Sequence, residues 1–178
     1  MSLPKASLTK RFKAVRLFLC DVDGVLTDGC VTMGQGVELK RYSIQDGLGL
    51  RLLQQHGVRV GWISNRPSAS TIERAKDLKV DYLTQQKAGT KTQAAEEMMK
   101  QAGVSWEQVS YMGDDIVDLA VIRRAGVGIA VANAIAEAKD MAHYVTKAPG
   151  GYGAVREVCE LILKAQGHWK PLVAEYSI

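Results

Sequence analysis

Short runs of β-branched and other apolar residues alternate along the chain with longer segments in which apolar residues recur at helical spacing. The runs 14–20, 58–64, 80–83, 109–112, 128–131 and 144–146 predict strands. Between them, Ser70 with Glu73, Thr90 with Gln93 and Ser105 with Gln108 have the spacing of capping boxes, in which side chains three residues apart satisfy the free amides of a first helical turn. Gly57, Gly103, Gly126 and Gly167 follow helical segments and predict their C-caps. In the last helix Val155, Val158, Cys159 and Ile162 fall at i, i+3, i+4 and i+7, a stripe suited to packing on a sheet. The alternation predicts an α/β fold: a Rossmann-like, mostly parallel sheet with helices on both faces.

One segment breaks the rhythm. After Asp28 and Gly29, the stretches 30–33 and 37–43 flank Gly34-Gln35-Gly36 and predict a β-hairpin, a flap over about 28–44 that projects from the first strand. Residues 164–178 carry little pattern and read as a loose tail. No repeat, low-complexity tract or linker divides the chain, and 178 residues suit one domain over 1–178.

Composition narrows the class. With 47% hydrophobic and 24% charged residues the chain can bury a core. Its apolar runs stop well short of the roughly 18 residues a membrane helix needs, so no membrane role is expected. The N-terminus has no secretory pattern, so the expected compartment is the cytoplasm. Cys20, Cys30 and Cys159 lack C-x-x-C spacing and fit reduced thiols, and His56, His143 and His168 are equally scattered. The net charge of +4 comes from the first residues, since Lys5, Lys10, Arg11, Lys13 and Arg16 precede any acid. This basic arm reads as a short solvated tail, and no nucleic-acid role follows from it.

Parallel α/β sheets bind ligands at the carboxyl ends of their strands, so chemistry is sought where strands stop. The first strand runs into Asp21-Val22-Asp23-Gly24, two carboxylates entering a glycine turn. Alone, such a turn is as readily one in which aspartates bond their own backbone. The second strand ends in Ile63-Ser64-Asn65-Arg66, and Lys91 opens the helix after the third, where free amides and the helix dipole already favour an anion. Ser64 alone reads as a helix cap and Lys91 alone as a surface charge; together they suit a phosphate. The fourth strand ends in Gly113-Asp114-Asp115-Ile116-Val117-Asp118. One aspartate there is ordinary N-capping. Three of them facing Asp21 and Asp23 suit a hard cation with oxygen ligands, Mg2+ being the commonest beside a phosphate.

D-x-D-G-V at the first strand, Ser at the second, Lys before a helix and G-D-D-x-x-D at the fourth resemble the four motifs of the haloacid dehalogenase superfamily, in order over residues 21–118. The short length, the flap, Asp46-Gly47 and the segment Gly150-Gly151-Tyr152-Gly153 are similar, within it, to the family of phosphatases acting on 3-deoxy-D-manno-octulosonate 8-phosphate. The resemblance implies that Asp21 is the nucleophile, forming an aspartyl phosphate, and that Asp23 protonates the leaving sugar oxygen and then deprotonates water. It implies Mg2+ held by Asp21, the Asp23 carbonyl and Asp114, with Asp115 and Asp118 behind them, and phosphoryl oxygens held by Ser64 and Lys91. On the substrate side it places Ser43, Ile44, Gln45, Asp46, Gly47, Arg51, Arg66 and Arg74. Arg66 is the best placed for a sugar carboxylate, whereas Arg51 and Arg74 alone read as solvated helix charges.

Two departures keep a phosphatase for a nine-carbon keto-deoxy sugar acid, or a broader sugar phosphatase, open: Ser64-Asn65-Arg66 stands where Thr-Gly-Arg is frequent, and Tyr152 where arginine is. Only a hairpin separates Asp23 from Ser64, so no cap domain is expected. An uncovered site calls for neighbouring subunits, and the family implies a homotetramer with flaps meeting and the glycine-rich segment or tail reaching a neighbour. A receiver-type signalling domain shares the residue types but puts its acidic pair on the first strand and its phosphoacceptor on the third, where this chain has Thr84. A domain kept only for assembly would not fill every catalytic position. No G-x-x-x-x-G-K-[ST] loop is present for a P-loop nucleotidase.

Overall fold

The structure, a computed structural model, describes residues 5–86 and 89–177; the beginning of the basic arm and the end of the tail lie outside the described residues. Helix α1 (Lys5–Ala14) leads into strand β1 (Leu17–Cys20), followed by the hairpin β2 (Thr32–Gly34) and β3 (Val37–Leu39). Helix α2 (Ile44–Gln55), β4 (Arg59–Ser64), α3 (Ala69–Asp77), β5 (Tyr82–Gln85) and α4 (Lys91–Ala102) come next. A 3₁₀ turn (Trp106–Gln108), β6 (Val109–Gly113), a second 3₁₀ turn (Ile116–Asp118) and α5 (Leu119–Arg124) follow. The chain ends with β7 (Val127–Ala130), α6 (Ala136–Met141), β8 (Tyr144–Val145), α7 (Ala154–Gln166) and α8 (Trp169–Glu175).

Six strands form one parallel sheet in the order β5-β4-β1-β6-β7-β8. This is the Rossmann-like order that the strand–helix rhythm predicts, with the first strand in the middle and the crossover reversing direction beside it. Strand β1 reads Leu-Phe-Leu-Cys with all four residues buried, as a strand covered on both faces must be. Its register, Cys20 opposite Trp62 on β4 and Met112 on β6, brings three strand ends to one edge of the sheet. Among the described residues no helix is long and apolar enough to cross a membrane.

The hairpin forms as expected, with Gln35 and Gly36 both at positive φ in the tight turn that matches strand twist. The Thr90–Gln93 capping box is present, and Gly103 and Gly167 close their helices in the left-handed conformation.

Several expectations need correction. Helix α3 begins after Ser68, not Ser70, because the Ser68 backbone is held by the Gln85 amide on β5, a partner distant in sequence. The third strand starts two residues late because Val80 closes helix α3 through a bond to the Ala75 carbonyl. Gly126 is not in the left-handed region; a Cβ there would collide with the Glu107 carbonyl, so close approach explains the glycine. The basic arm is no solvated tail: α1 packs on α7, Phe12 is buried, and Arg11 donates to the Gly126 carbonyl at 2.7 Å. Nor is the C-terminus loose. Helix α8 folds back with Leu172 buried, and the Trp169 ring lies against Arg156 and Lys164.

Candidate active site

The loop leaving β1 is wound tightly. The Val22 carbonyl accepts from Leu26 N and Thr27 N, and the Thr27 hydroxyl accepts from Gly24 N and Gly29 N. Gly24 is at φ +89°, and a Cβ on it would overlap the Asp114 carboxylate. The segment 150–153 backs this loop. Gly151 N donates to the Val25 carbonyl at 2.9 Å, and a Cβ on Gly150 would strike the Gly24 carbonyl. The glycine-rich segment therefore lies on the first loop of its own chain.

Asp21 extends β1 by one residue, its amide donating to the Met112 carbonyl at 2.9 Å. Its Oδ1 accepts from Val22 N at 2.6 Å and its Oδ2 lies 2.7 Å from the Lys91 ammonium. Lys91 is the first residue of α4 and is buried, its ammonium also 2.7 Å from Asp118 Oδ1. Asp118 is fully used: Oδ1 also accepts from the Tyr111 hydroxyl at 2.5 Å, and Oδ2 from Asp114 N and Asp115 N. It braces Lys91 on one side and the Gly113–Asp115 turn on the other. Asp115 is exposed and caps the second 3₁₀ turn, its side chain accepting from the amides of Ile116 and Asp118.

Asp114 is different, because its Oδ1 is buried without a protein donor. Carboxylate oxygens of Asp21, Asp114 and Asp118 lie within 4.8 Å of one another. One ammonium faces three carboxylates, and the imbalance shows in their acidity. Burial, partly offset by Lys91 and aided by Asp118, pushes Asp21 up to about 6. Burial together with Asp21 and Asp118 pushes Asp114 up to about 7. Burial acts to lower Lys91, but the charges of Asp21 and Asp118 outweigh it and hold the ammonium above its ordinary value. An unpartnered buried oxygen amid excess negative charge is the donor set of a hard divalent cation. Asp21 and Asp114 have free capacity for one and Asp118 has none.

Over this cluster hangs the flap. The Lys40 ammonium is 2.7 Å from Asp23 Oδ1, and Glu38 pairs with the Arg66 guanidinium. Ser64 is buried at the end of β4, its hydroxyl turned into the Ser64–Arg66 turn, where it accepts from Arg66 N at 3.0 Å. Arg41 pairs with Asp28 at 2.9 Å, bonds the Tyr152 hydroxyl and stacks its guanidinium 4.5 Å from the Tyr152 ring centre. Arg41, Tyr42, Ser43, Gln45, Gly151 and Tyr152 line a hollow of about 310 Å³.

The remaining substrate-side residues are placed less uniformly. Ile44 is exposed at the start of α2, where Ser43 caps the amide of Asp46. Asp46 is buried and accepts from Gly153 N and Arg156 N, fastening the start of α7; burial raises its carboxyl above the usual range. Gly47 makes room for the Arg74 guanidinium, which pairs with Asp77. Arg51 bonds Gln54 and the Leu78 carbonyl. These contacts join α2 to α3 and α7. Sequence reasoning missed Glu38 and Lys40. The signal was present, since Val37-Glu38-Leu39-Lys40 alternates with period two, but its apolar face was the natural one to turn inward.

Comparison with known proteins gives a consistent picture. A family model for haloacid dehalogenase-like hydrolases matches residues 84–156. A 3-deoxy-D-manno-octulosonate 8-phosphate phosphatase of Yersinia pestis is 42% identical over 158 residues, covering 88% of this chain and 84% of that protein. The corresponding protein of Escherichia coli K12 is 37% identical over 163 residues, covering 91% and 86%. A crystal structure of such a phosphatase from Moraxella catarrhalis, in complex with a magnesium ion, a phosphate ion and a KDO molecule, superposes with a TM-score of 0.93. It is 38% identical, covering 97% of this chain and 99% of that one.

Proposed function

Since the chain belongs to the haloacid dehalogenase-like hydrolases, and among them to the 3-deoxy-D-manno-octulosonate 8-phosphate phosphatases, we propose that it hydrolyses that sugar phosphate to the free sugar acid and phosphate, with Mg2+ as cofactor. The observation that carries the reading is the cluster of Asp21, Lys91, Asp114 and Asp118 at the adjoining ends of β1 and β6.

Asp21 attacks phosphorus and displaces the sugar oxygen, giving an aspartyl phosphate. Asp23 delivers a proton to that oxygen as it leaves, then takes one from the water that cleaves the intermediate, which regenerates both carboxyl groups in their starting states. Val22 N and Lys91 hold Asp21 fixed for attack. Lys91 stands beside Asp21 to receive a phosphoryl oxygen, with the Ser64 hydroxyl on the neighbouring strand end. Mg2+ would be held by Asp21, Asp114 and the Asp23 carbonyl, and when bound supplies positive charge against the phosphoryl oxygens. Arg66, released from Glu38, is the cation for the sugar's carboxylate.

We assign the working form as a cytoplasmic homotetramer of single-domain subunits. Val37 and Leu39 on the outer face of the flap are 55% and 61% exposed, which supports flaps meeting between subunits. The decisive assay is phosphate release, with and without Mg2+, from a panel of eight-carbon and nine-carbon keto-deoxy sugar acid phosphates and common sugar phosphates. Preference for the eight-carbon acid, lost in Asp21→Asn, is the expected result. Broad weak activity or a fully active Asp21→Asn would overturn it.

A further inference from the structure

Lys40 is a costly residue to have where it is. Its side chain is 0% exposed, on a two-stranded flap with little core of its own. Burying an ammonium is unfavourable unless partners meet it, and ordering a lysine forfeits side-chain freedom. Its partners are Asp23 Oδ1 at 2.7 Å, the Thr71 hydroxyl at 3.3 Å and, further off, Glu38 at 3.9 Å. The flap is also inverted relative to a hairpin built for stability. Glu38 and Lys40 point in towards the catalytic loop, while Val37 and Leu39 face out. Such an element carries charge to the site rather than apolar cover.

Resting on the phosphatase reading above, we infer that Lys40 is a positioning residue for Asp23, fixing the carboxyl group that hands a proton to the departing sugar oxygen. The Lys40 ammonium lies 2.7 Å from Asp23 Oδ1 and is itself anchored on the Thr71 hydroxyl, so the flap sets where that carboxyl group points. Holding the acid within reach of the leaving oxygen supplies the orientation that proton transfer requires. Lys40 thus acts where the leaving group needs a proton, as a sugar alkoxide does. A nitrophenolate, stable as an anion, has no such need.

The experiment compares Lys40→Met and Lys40→Arg with the wild type, all with Mg2+, in rapid mixing. The pre-steady-state release of sugar from the sugar phosphate is set against the burst of nitrophenolate from p-nitrophenyl phosphate, and thermal melts check that each variant is folded. General acid assistance is worth roughly 10²–10⁴-fold, so Lys40→Met should lower the sugar step at least about tenfold more than the nitrophenolate burst. Lys40→Arg, which keeps a cation, should recover part of the difference. Equal losses on both substrates, or no loss on either, overturn the inference; Lys40→Gln is read the same way should the Met variant not fold. A wild type inert on both substrates would instead sink the phosphatase reading.

Discussion

Gly24 and Asp114 occupy one space: the hydrogen on the glycine leaves room for the carboxylate, and a methyl group there would overlap it. Gly24 also sits at φ +89°, where a side chain is strained whatever the room. Gly24→Ala therefore strikes both the loop that carries Asp23 and a candidate cation ligand. Turnover should fall at least about a hundredfold, by analogy with small displacements of reacting groups. Titration calorimetry should show weakened Mg2+ binding in the same variant; wild-type affinity would show that Asp114 can give way freely.

Lys91 holds two buried carboxylates at once, so its removal is a stability test as well as a catalytic one. Lys91→Met leaves Asp21 and Asp118 facing each other without a cation, and breaking a buried pair in this way costs about 3–5 kcal/mol. Urea unfolding should show that loss in midpoint. The Lys91→Met, Asp118→Asn double variant, one charge lighter, should recover part of it.

Acidity ties metal binding to pH. Asp21 and Asp114 sit at about 6 and about 7 in the folded chain, above the ordinary 3.8 they return to on unfolding. In the metal-free protein the folded state thus holds these protons more tightly than the unfolded state. Their contribution to stability is full below the unfolded value and is lost as pH rises through about 6 to 7. Mg2+ competes with those protons, so its stabilising effect should be larger at about pH 8 than at about pH 5.5. Paired melting curves with and without Mg2+ measure the difference, and an equal shift at both values would place the cation elsewhere.

If flaps meet between subunits, charge on their outer face should separate them. Val37→Asp with Leu39→Asp leaves the inward pair Glu38 and Lys40 in place, so light scattering should report smaller particles from a chain with unchanged melting cooperativity. A tetramer that survives both charges would move the interface off the flap.

Much of this arrangement could be read from residue order. Strand ends are legible because apolar runs stop abruptly at aspartate, serine or glycine, and a parallel sheet has one edge at which they gather. What could not be read depends on partners distant in the chain. Asp46 appears in sequence beside the substrate-side residues, yet its carboxylate fastens the start of α7 through Gly153 and Arg156. Lys40 stands out in nothing along the chain, and its meaning comes only from the flap folding over Asp23. Tyr152, a departure from the expected arginine, finds its reason in the guanidinium of Arg41 stacked on its ring. The two terminal helices are short, and each meets the body through a few apolar positions, Leu8 and Phe12 in the first and Trp169 and Leu172 in the last, a signal easily lost among their charges.

The seating of Gly150 and Gly151 against the loop after β1 also governs when the site can exist. Asp21 and Asp23 are made before β4 and β6, the strands that flank β1 in the middle of the sheet. The backing glycines come later still. Contacts so far apart in sequence form late, since long loops must close before they are rewarded. A chain stopped before residue 150 therefore carries Asp21 and Asp23 without the backing of their loop, and the proposed chemistry waits on a segment made more than a hundred residues after them.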